Sequence, residues 1–229
     1  KNAIKDKLIK TYMTKRTVLD IGSGAGGDIQ KYRKHRSRYV VGVDIVDVVY
    51  KYDRRFMEFF KIPANKHNSY SVKQVIRSSK VKEFDVVNCQ FAFHYFLKSK
   101  GTFDNFVKNV KSTLKRGGVL VITCLDGALV KSTNSSAVKI QVGSKGDGMF
   151  GNRVSVRLNG TKYFKNSDSN EYLVDVPKVI AYLEKNGFRL EERKPFEEYC
   201  KEFGSACQLM NADEKQYSFM NISLVFSHK

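Results

Sequence analysis

The chain has 229 residues, enough to bury the core of one α/β domain, and its 41 lysines and arginines against 23 acids give a formal charge of +18. That excess favours a polyanionic partner, nucleic acid first. A membrane-spanning segment is excluded, because the most apolar stretch, residues 40–49, is broken by Asp44 and Asp47, and no secretory signal opens the chain. The four cysteines, Cys89, Cys124, Cys200 and Cys207, form no C-x-x-C pair, so free thiols in a reducing compartment are expected.

In chain order, residues 17–21 (T-V-L-D-I) are a short apolar run that ends in glycines, and residues 28–36 then read as a helix. Residues 39–45 read as the next strand. Residues 84–90 (F-D-V-V-N-C-Q) and 119–125 (V-L-V-I-T-C-L) are β-branched strands separated by a helical period over 103–114. Strands alternating with helices imply a parallel sheet. Residues 129–170 differ, being rich in Ser, Gly, Asn and Lys with short alternating pieces such as 153–158, and read as loops and a small antiparallel excursion. Residues 176–186 then read as a helix closed by Gly187, 188–193 as a strand and 219–227 as a last strand. One domain over 1–229, with an insertion at about 129–170, is expected.

The loop D-I-G-S-G-A-G-G-D at 20–28 follows a strand and opens a helix, which suits close approach of a nucleotide-like ligand to backbone. Gly22, Gly24 and Gly27 satisfy the dinucleotide spacing G-x-G-x-x-G, and Asp44 lies near the usual distance for a ribose-binding acid, so spacing leaves NAD open. Asp20 and Asp28 are poor neighbours for a pyrophosphate but suit the ammonium and sulfonium of S-adenosylmethionine. The run L-K-R-G-G at 114–118 also resembles a methyltransferase signature. A blander reading makes Asp28 a carboxylate at a helix start and Asp20 a strand-end turn residue.

The segment N-C-Q-F-A-F-H-Y at 88–95 sits at the carboxyl end of a strand and resembles the Q-F-x-x-H-Y signature of mRNA cap guanine-N7 methyltransferases. Asn2-Ala3-Ile4-Lys5 is similar to that family's N-x-x-K, and Asn170-Glu171-Tyr172 extends the resemblance over nearly the whole chain. The resemblance implies an α/β, Rossmann-like class I fold: a mostly parallel seven-stranded sheet with an inserted antiparallel cap-binding region at 129–170, its lysines facing RNA. It implies a methyl donor, S-adenosylmethionine, held by Lys5, Asp20, Gly22, Gly24, Asp28, Asp44 and Gln90, with Asn68 and Ser69 near the adenine and S-adenosylhomocysteine as product. It implies Phe91, His94, Tyr95 and Glu171 around the cap guanine, where a flat base needs an aromatic surface and its N1 and N2 donors need a carboxylate. Without the motif, Phe91 and Phe93 would read as core, and His94 and Glu171 as surface groups.

By the same resemblance the acceptor is capped RNA, no metal is needed, and neighbouring RNA triphosphatase and guanylyltransferase domains are expected in a longer polypeptide, since the sequence starts at Lys1 without methionine. A multifunctional capping enzyme of a large DNA virus, poxvirus- or asfarvirus-like, fits. The protein would then be intracellular, in the host cytoplasm and virion if viral or the nucleus if cellular, off the membrane, with or without a stimulatory subunit. Other acceptors, or a catalytically silent cap-binding domain, are the rival readings. Three positions depart from the pattern: Asn68 replaces an aspartate near adenine, Ala25 replaces a lysine, and Asn221 stands where the last strand should carry an aromatic, with Tyr217 a few residues earlier. Arg54 or Arg55, on the helix expected there, would take over a cap-phosphate contact from the missing lysine. Guanine N7 has a free lone pair, so methyl transfer by in-line displacement requires no general base.

Overall fold

A computed structural model describes residues 2–62, 70–158 and 169–229, without the side chains of Ser205 and Ala206. Its main sheet comprises β1 (Thr17–Ile21), β2 (Tyr39–Asp44), β3 (Met57–Lys61), β4 (Phe84–Gln90), β5 (Leu114–Leu125), β10 (Phe188–Pro195) and β11 (Asn221–His228). The strand order is β10-β11-β5-β4-β1-β2-β3. β1, β2, β3, β4 and β5 run parallel, and β11 is antiparallel to both of its neighbours. The expected mostly parallel seven-stranded α/β sheet is therefore present.

Alternation along β1 divides the core. Val18 packs with Ile4, Leu8, Ile9 and Met13 of α1 (Asn2–Met13), Ile29 and Tyr32 of α2 (Ile29–Lys34), and Phe196 and Tyr199 of α6 (Phe196–Phe203). Leu19 and Ile21 pack on the other face with Phe103, Phe106 and Val110 of α4 (Lys100–Thr113) and with Val176, Val179 and Leu183 of α5 (Val176–Lys185). Strands buried on both faces carry consecutive apolar residues, as Val18 and Leu19 of β1 and Val40 and Val41 of β2 do. The helix at 103–114 starts earlier than its apolar period because the Ser99 hydroxyl accepts from the Thr102 backbone N–H at 3.2 Å and caps it. β5 also starts earlier than expected: its register with β4 shifts between the Phe84 and Val86 pairs, and Gly117 takes φ +73 in the irregular stretch.

Between β5 and α5 stands a second, antiparallel sheet of β6 (Thr133–Asn134), β7 (Val138–Val142), β8 (Arg153–Leu158) and β9 (Ser169–Tyr172), in that order. Val138, Ile140, Val154 and Val156 form its own core with Met220, and Tyr217 of α8 (Ala212–Phe219) packs against it. The short α3 (Val72–Val75) and α7 (Ser205–Gln208) complete the α-helices of the described residues. The expectation of four free thiols needs correcting. Cys89 and Cys124 are buried and free, but Cys200 and Cys207 are joined as a disulfide, their Cα atoms 5.3 Å apart. Gly204 at φ +51 turns the chain between α6 and α7 and brings them together. No described helix is long and apolar enough to cross a membrane.

Candidate active site

The strand order reverses at β1, so the carboxyl ends of β1, β2 and β4 flank a crevice of the kind where open α/β sheets take ligands. Gly22, Gly24 and Gly26 adopt φ of +79, +58 and +89 as the chain leaves β1. A Cβ on Gly22 would stand 2.3 Å from the Ala92 Cβ, so only glycine allows the loop to lie against the turn that follows β4. Gly24 faces open space, and its N–H donates to Asp44 Oδ2 at 2.7 Å. The Val46 N–H donates to the other oxygen at 3.0 Å, which fixes this carboxylate at the end of β2. Gly22, Gly24, Asp44, Tyr70, Ala92 and Tyr95 line one cleft of about 520 Å³.

Beneath the loop lies a buried polar chain. Asp20 is 5% exposed, and its Oδ1 accepts from Asn88 Nδ2 at 2.8 Å. Asn88 Oδ1 accepts from Gln90 Nε2 at 3.0 Å, and Asn88 Nδ2 also donates to the Tyr32 hydroxyl at 3.0 Å. Burial, aided by the charge of Asp28, pushes the Asp20 carboxyl up from 3.8 to about 6. The Gln90 Oε1 atom at the end of this chain is buried and has no hydrogen-bond partner among the described residues. An unpaired buried acceptor is costly, and a ligand that carries a donor would satisfy it.

Asp28, just before α2, makes no side-chain cap hydrogen bond. Its carboxylate instead binds Lys31 Nζ at 2.7 Å and Lys5 Nζ at 2.5 Å, the latter reaching over from α1. Burial works against its charge, but the two ammonium groups outweigh that and hold its carboxyl below the usual range. Lys5 Nζ also lies 5.6 Å from the centre of the Phe91 ring. Phe91 takes a left-handed φ of +57 at the end of β4, and its ring meets Phe196 edge-on at 5.9 Å. Its N–H donates to the Thr123 carbonyl at 3.0 Å, which ties this turn to β5.

A short 3₁₀ helix, Phe93–Lys98, follows the turn and carries the rest of the motif. Phe93 is fully buried against Phe103 and Phe106, in the core. His94 and Tyr95 point to the second sheet instead: His94 Nε2 stands 3.5 Å from Glu171 Oε2, and the Tyr95 hydroxyl is 3.0 Å from Ser169 Oγ, both partners on β9. Glu171 is 7% exposed. Burial and the Glu171 charge push the Tyr217 hydroxyl well above its ordinary pKa, so Tyr217 belongs to the same neighbourhood. Sequence reading noticed Tyr217 without giving it a place. The capping box of Asn211 and Glu214, which starts its helix, was the available signal.

Asn68 and Ser69 lie outside the described residues. Asn221 is fully buried, and its amide caps α8 by donating to the carbonyls of Tyr217 and Ser218 at 2.8 and 3.1 Å. The expected helix carrying Arg54 and Arg55 is absent: these residues form a turn before β3. Because Met57 pairs with Val40 at the start of the parallel β2, Arg55 lies at the amino ends of the strands, away from the glycine loop, and cannot replace the lysine missing at Ala25. The reason is physical: residues 45–56 must cross back from the carboxyl end of β2 to run parallel with it.

Residues 1–215 match the model of the mRNA (guanine-N(7))-methyltransferase domain. A probable mRNA-capping enzyme of Acanthamoeba polyphaga mimivirus is 30% identical over 160 residues, covering 56% of this chain and 14% of that protein. An mRNA cap guanine-N(7) methyltransferase of Drosophila melanogaster is 27% identical over 238 residues, covering 88% of this chain and 55% of that protein. The chain thus spans only part of the relatives it matches. Among solved structures, an S-adenosylmethionine dependent methyltransferase from Mesorhizobium loti has a TM-score of 0.64 at 13% identity, with 98% of this chain and 96% of that one covered.

Proposed function

Because the chain belongs to the mRNA (guanine-N(7))-methyltransferase domain family, we propose that it transfers a methyl group from S-adenosylmethionine to N7 of the guanine cap of RNA. The observation that carries this reading is the meeting of two sheets at one cleft. Tyr95 lines the donor cleft and also bonds Ser169 of β9, while its neighbour His94 stands beside Glu171 on that same strand. Donor and acceptor would thus lie on the two sides of one tyrosine.

The residues fit the donor. Asp44 would take the ribose hydroxyls, Gly22 and Gly24 would admit the ligand to the backbone, and Gln90 Oε1 offers a buried acceptor without a partner. Asp20 acts through Asn88, which holds Gln90 in place. Lys5 and Asp28 close the corner beneath Phe91. The donor, when bound, supplies the methyl group on a sulfonium.

Guanine N7 carries a free lone pair at neutral pH, so these residues have no proton to remove. Their task is alignment of nucleophile, methyl carbon and leaving sulfur. The rings of Tyr95, His94 and Phe91 would hold a flat base. The Glu171 carboxylate would accept from N1 and N2 and favour the positive charge that develops on the ring. Residues 1–229 act as one domain on this reading, with the second sheet as its cap-binding insertion.

The partner domains belong to the same proposal. A relative described as a capping enzyme, of which this match covers 14%, supports RNA triphosphatase and guanylyltransferase neighbours and an intracellular site of action. Transfer of labelled methyl from S-adenosylmethionine to GpppRNA tests the function: label at guanine N7 is expected, and label on small acceptors but not on capped RNA would refute it.

A further inference from the structure

A second cleft, of about 690 Å³, opens at the amino ends of the strands. Thr17 pairs with Tyr39, and Val40 with Met57, so the residues just before β1, β2 and β3 converge there. They bring Lys15, Arg38 and Arg55 together with Arg33 and Arg36 from α2 and the turn behind it. Arg38 is paired with Asp85 and Arg55 with Asp53, whereas Lys15, Arg33 and Arg36 are exposed and make no salt bridge among the described residues. The cleft therefore keeps a positive excess.

The backbone sets the positions from which two of these side chains start. Three described non-glycine residues have a positive φ, and two of them, Lys15 at 59° and Arg36 at 54°, stand here. Each follows the end of a helix, α1 or α2, where glycine is the ordinary choice, and a side chain costs roughly 1 kcal/mol in that conformation. The two turns are laced together, Lys15 N donating to Arg36 O at 3.1 Å and Arg38 N to Arg16 O at 2.9 Å. Beside them Phe56 is 50% exposed, with the Arg55 guanidinium 5.5 Å from its ring centre. Clustered cations next to an exposed aromatic ring are the chemistry of single-stranded nucleic acid binding: charge for phosphates, a π face for an unstacked base. An acidic polypeptide would use the charge and leave the ring idle.

We propose that this cleft binds single-stranded RNA without sequence preference, as a site separate from the donor and acceptor cleft. On the function proposed above, its occupant is the transcript beyond the cap. The strands separate the two clefts by roughly 20 Å, beyond the reach of a capped dinucleotide.

The test is the double variant Lys15→Gly with Arg36→Gly, since glycine is at ease at both φ values and the fold is kept. Binding of an uncapped oligouridylate of about 20 nucleotides should weaken at least about fivefold, with a salt dependence shallower by roughly 1 to 1.5. Phe56→Ala should weaken it by a similar factor. The Michaelis constant for capped RNA of that length should rise in parallel, with methylation of the GpppA dinucleotide unchanged. Oligouridylate affinity equal to wild type in both variants overturns the proposal, and lost retention of polyglutamate with RNA affinity intact assigns the cleft to an acidic polypeptide instead. Wild-type protein that binds oligouridylate but methylates no capped substrate counts against the proposed function alone, and the oligouridylate comparison still decides the cleft.

Discussion

Asn88 Nδ2 stands 2.8 Å from Asp20 Oδ1, and both side chains are buried. The pair makes a carboxylate on β1 the support for a glutamine on β4. Asn88→Ala leaves a buried acid without one of its donors and Gln90 without its anchor. A loss of about 2 kcal/mol in chemical denaturation is expected, together with weaker S-adenosylmethionine binding by calorimetry. Donor affinity equal to wild type would show that Gln90 needs no support.

The Asp20 carboxyl titrates near 6 in the folded protein and near 3.8 when unfolded, so the native state holds the proton more tightly between those values. The stability it contributes is present below about pH 4 and lost as pH rises through 6, by at most about 3 kcal/mol. Asp20→Asn lacks this dependence. The melting temperature of the variant relative to wild type should therefore climb between pH 4 and pH 7, and a constant difference would refute the assignment.

Gly22 and Gly24 separate packing from binding. Gly22→Ala drives a Cβ into Ala92 and should cost at least about 2 kcal/mol in a melt. Gly24→Ala meets no atom within 4 Å and carries only the strain of φ +58, about 1 kcal/mol, but it puts a methyl where the cleft must admit a ligand. Donor titration of a folded Gly24→Ala protein should show the larger loss of affinity.

Glu171→Ala and His94→Ala should lower cap methylation by about 100-fold or more while S-adenosylmethionine binds nearly as before, because their side chains meet at β9 rather than in the glycine loop. Asp44→Ala should do the reverse, weakening the donor in calorimetry. Equal loss of both properties in all three variants would dissolve the division of the site.

The strands of the main sheet were legible because a strand buried on both faces carries consecutive apolar, mostly β-branched residues, as Val18-Leu19 and Val86-Val87 do, just before the polar Asp20 and Asn88. The turn motif was legible too, since Gln90, His94 and Tyr95 sit within six consecutive residues. What the sequence hid was long-range. α1 carries its apolar residues among lysines, β3 is a five-residue edge strand, and the Cys200 to Cys207 pairing depends on a glycine turn with no composition signal. Arg55 was misplaced for a related reason: local spacing does not say at which end of a parallel strand a crossover delivers its residues.

The hydrogen bond between Tyr95 and Ser169 joins the turn that follows β4 of the main sheet to a second sheet inserted between β5 and α5. The two sides of the proposed site therefore come from segments far apart in the chain. The described lining of the cleft ends at Phe96, and the second sheet that meets it at Tyr95 packs on an apolar cluster shared with Leu125 and Met220. On the proposed function, the acceptor would be redesigned in the segment between β5 and α5, with Leu125 and Met220 kept as the floor on which any replacement must pack.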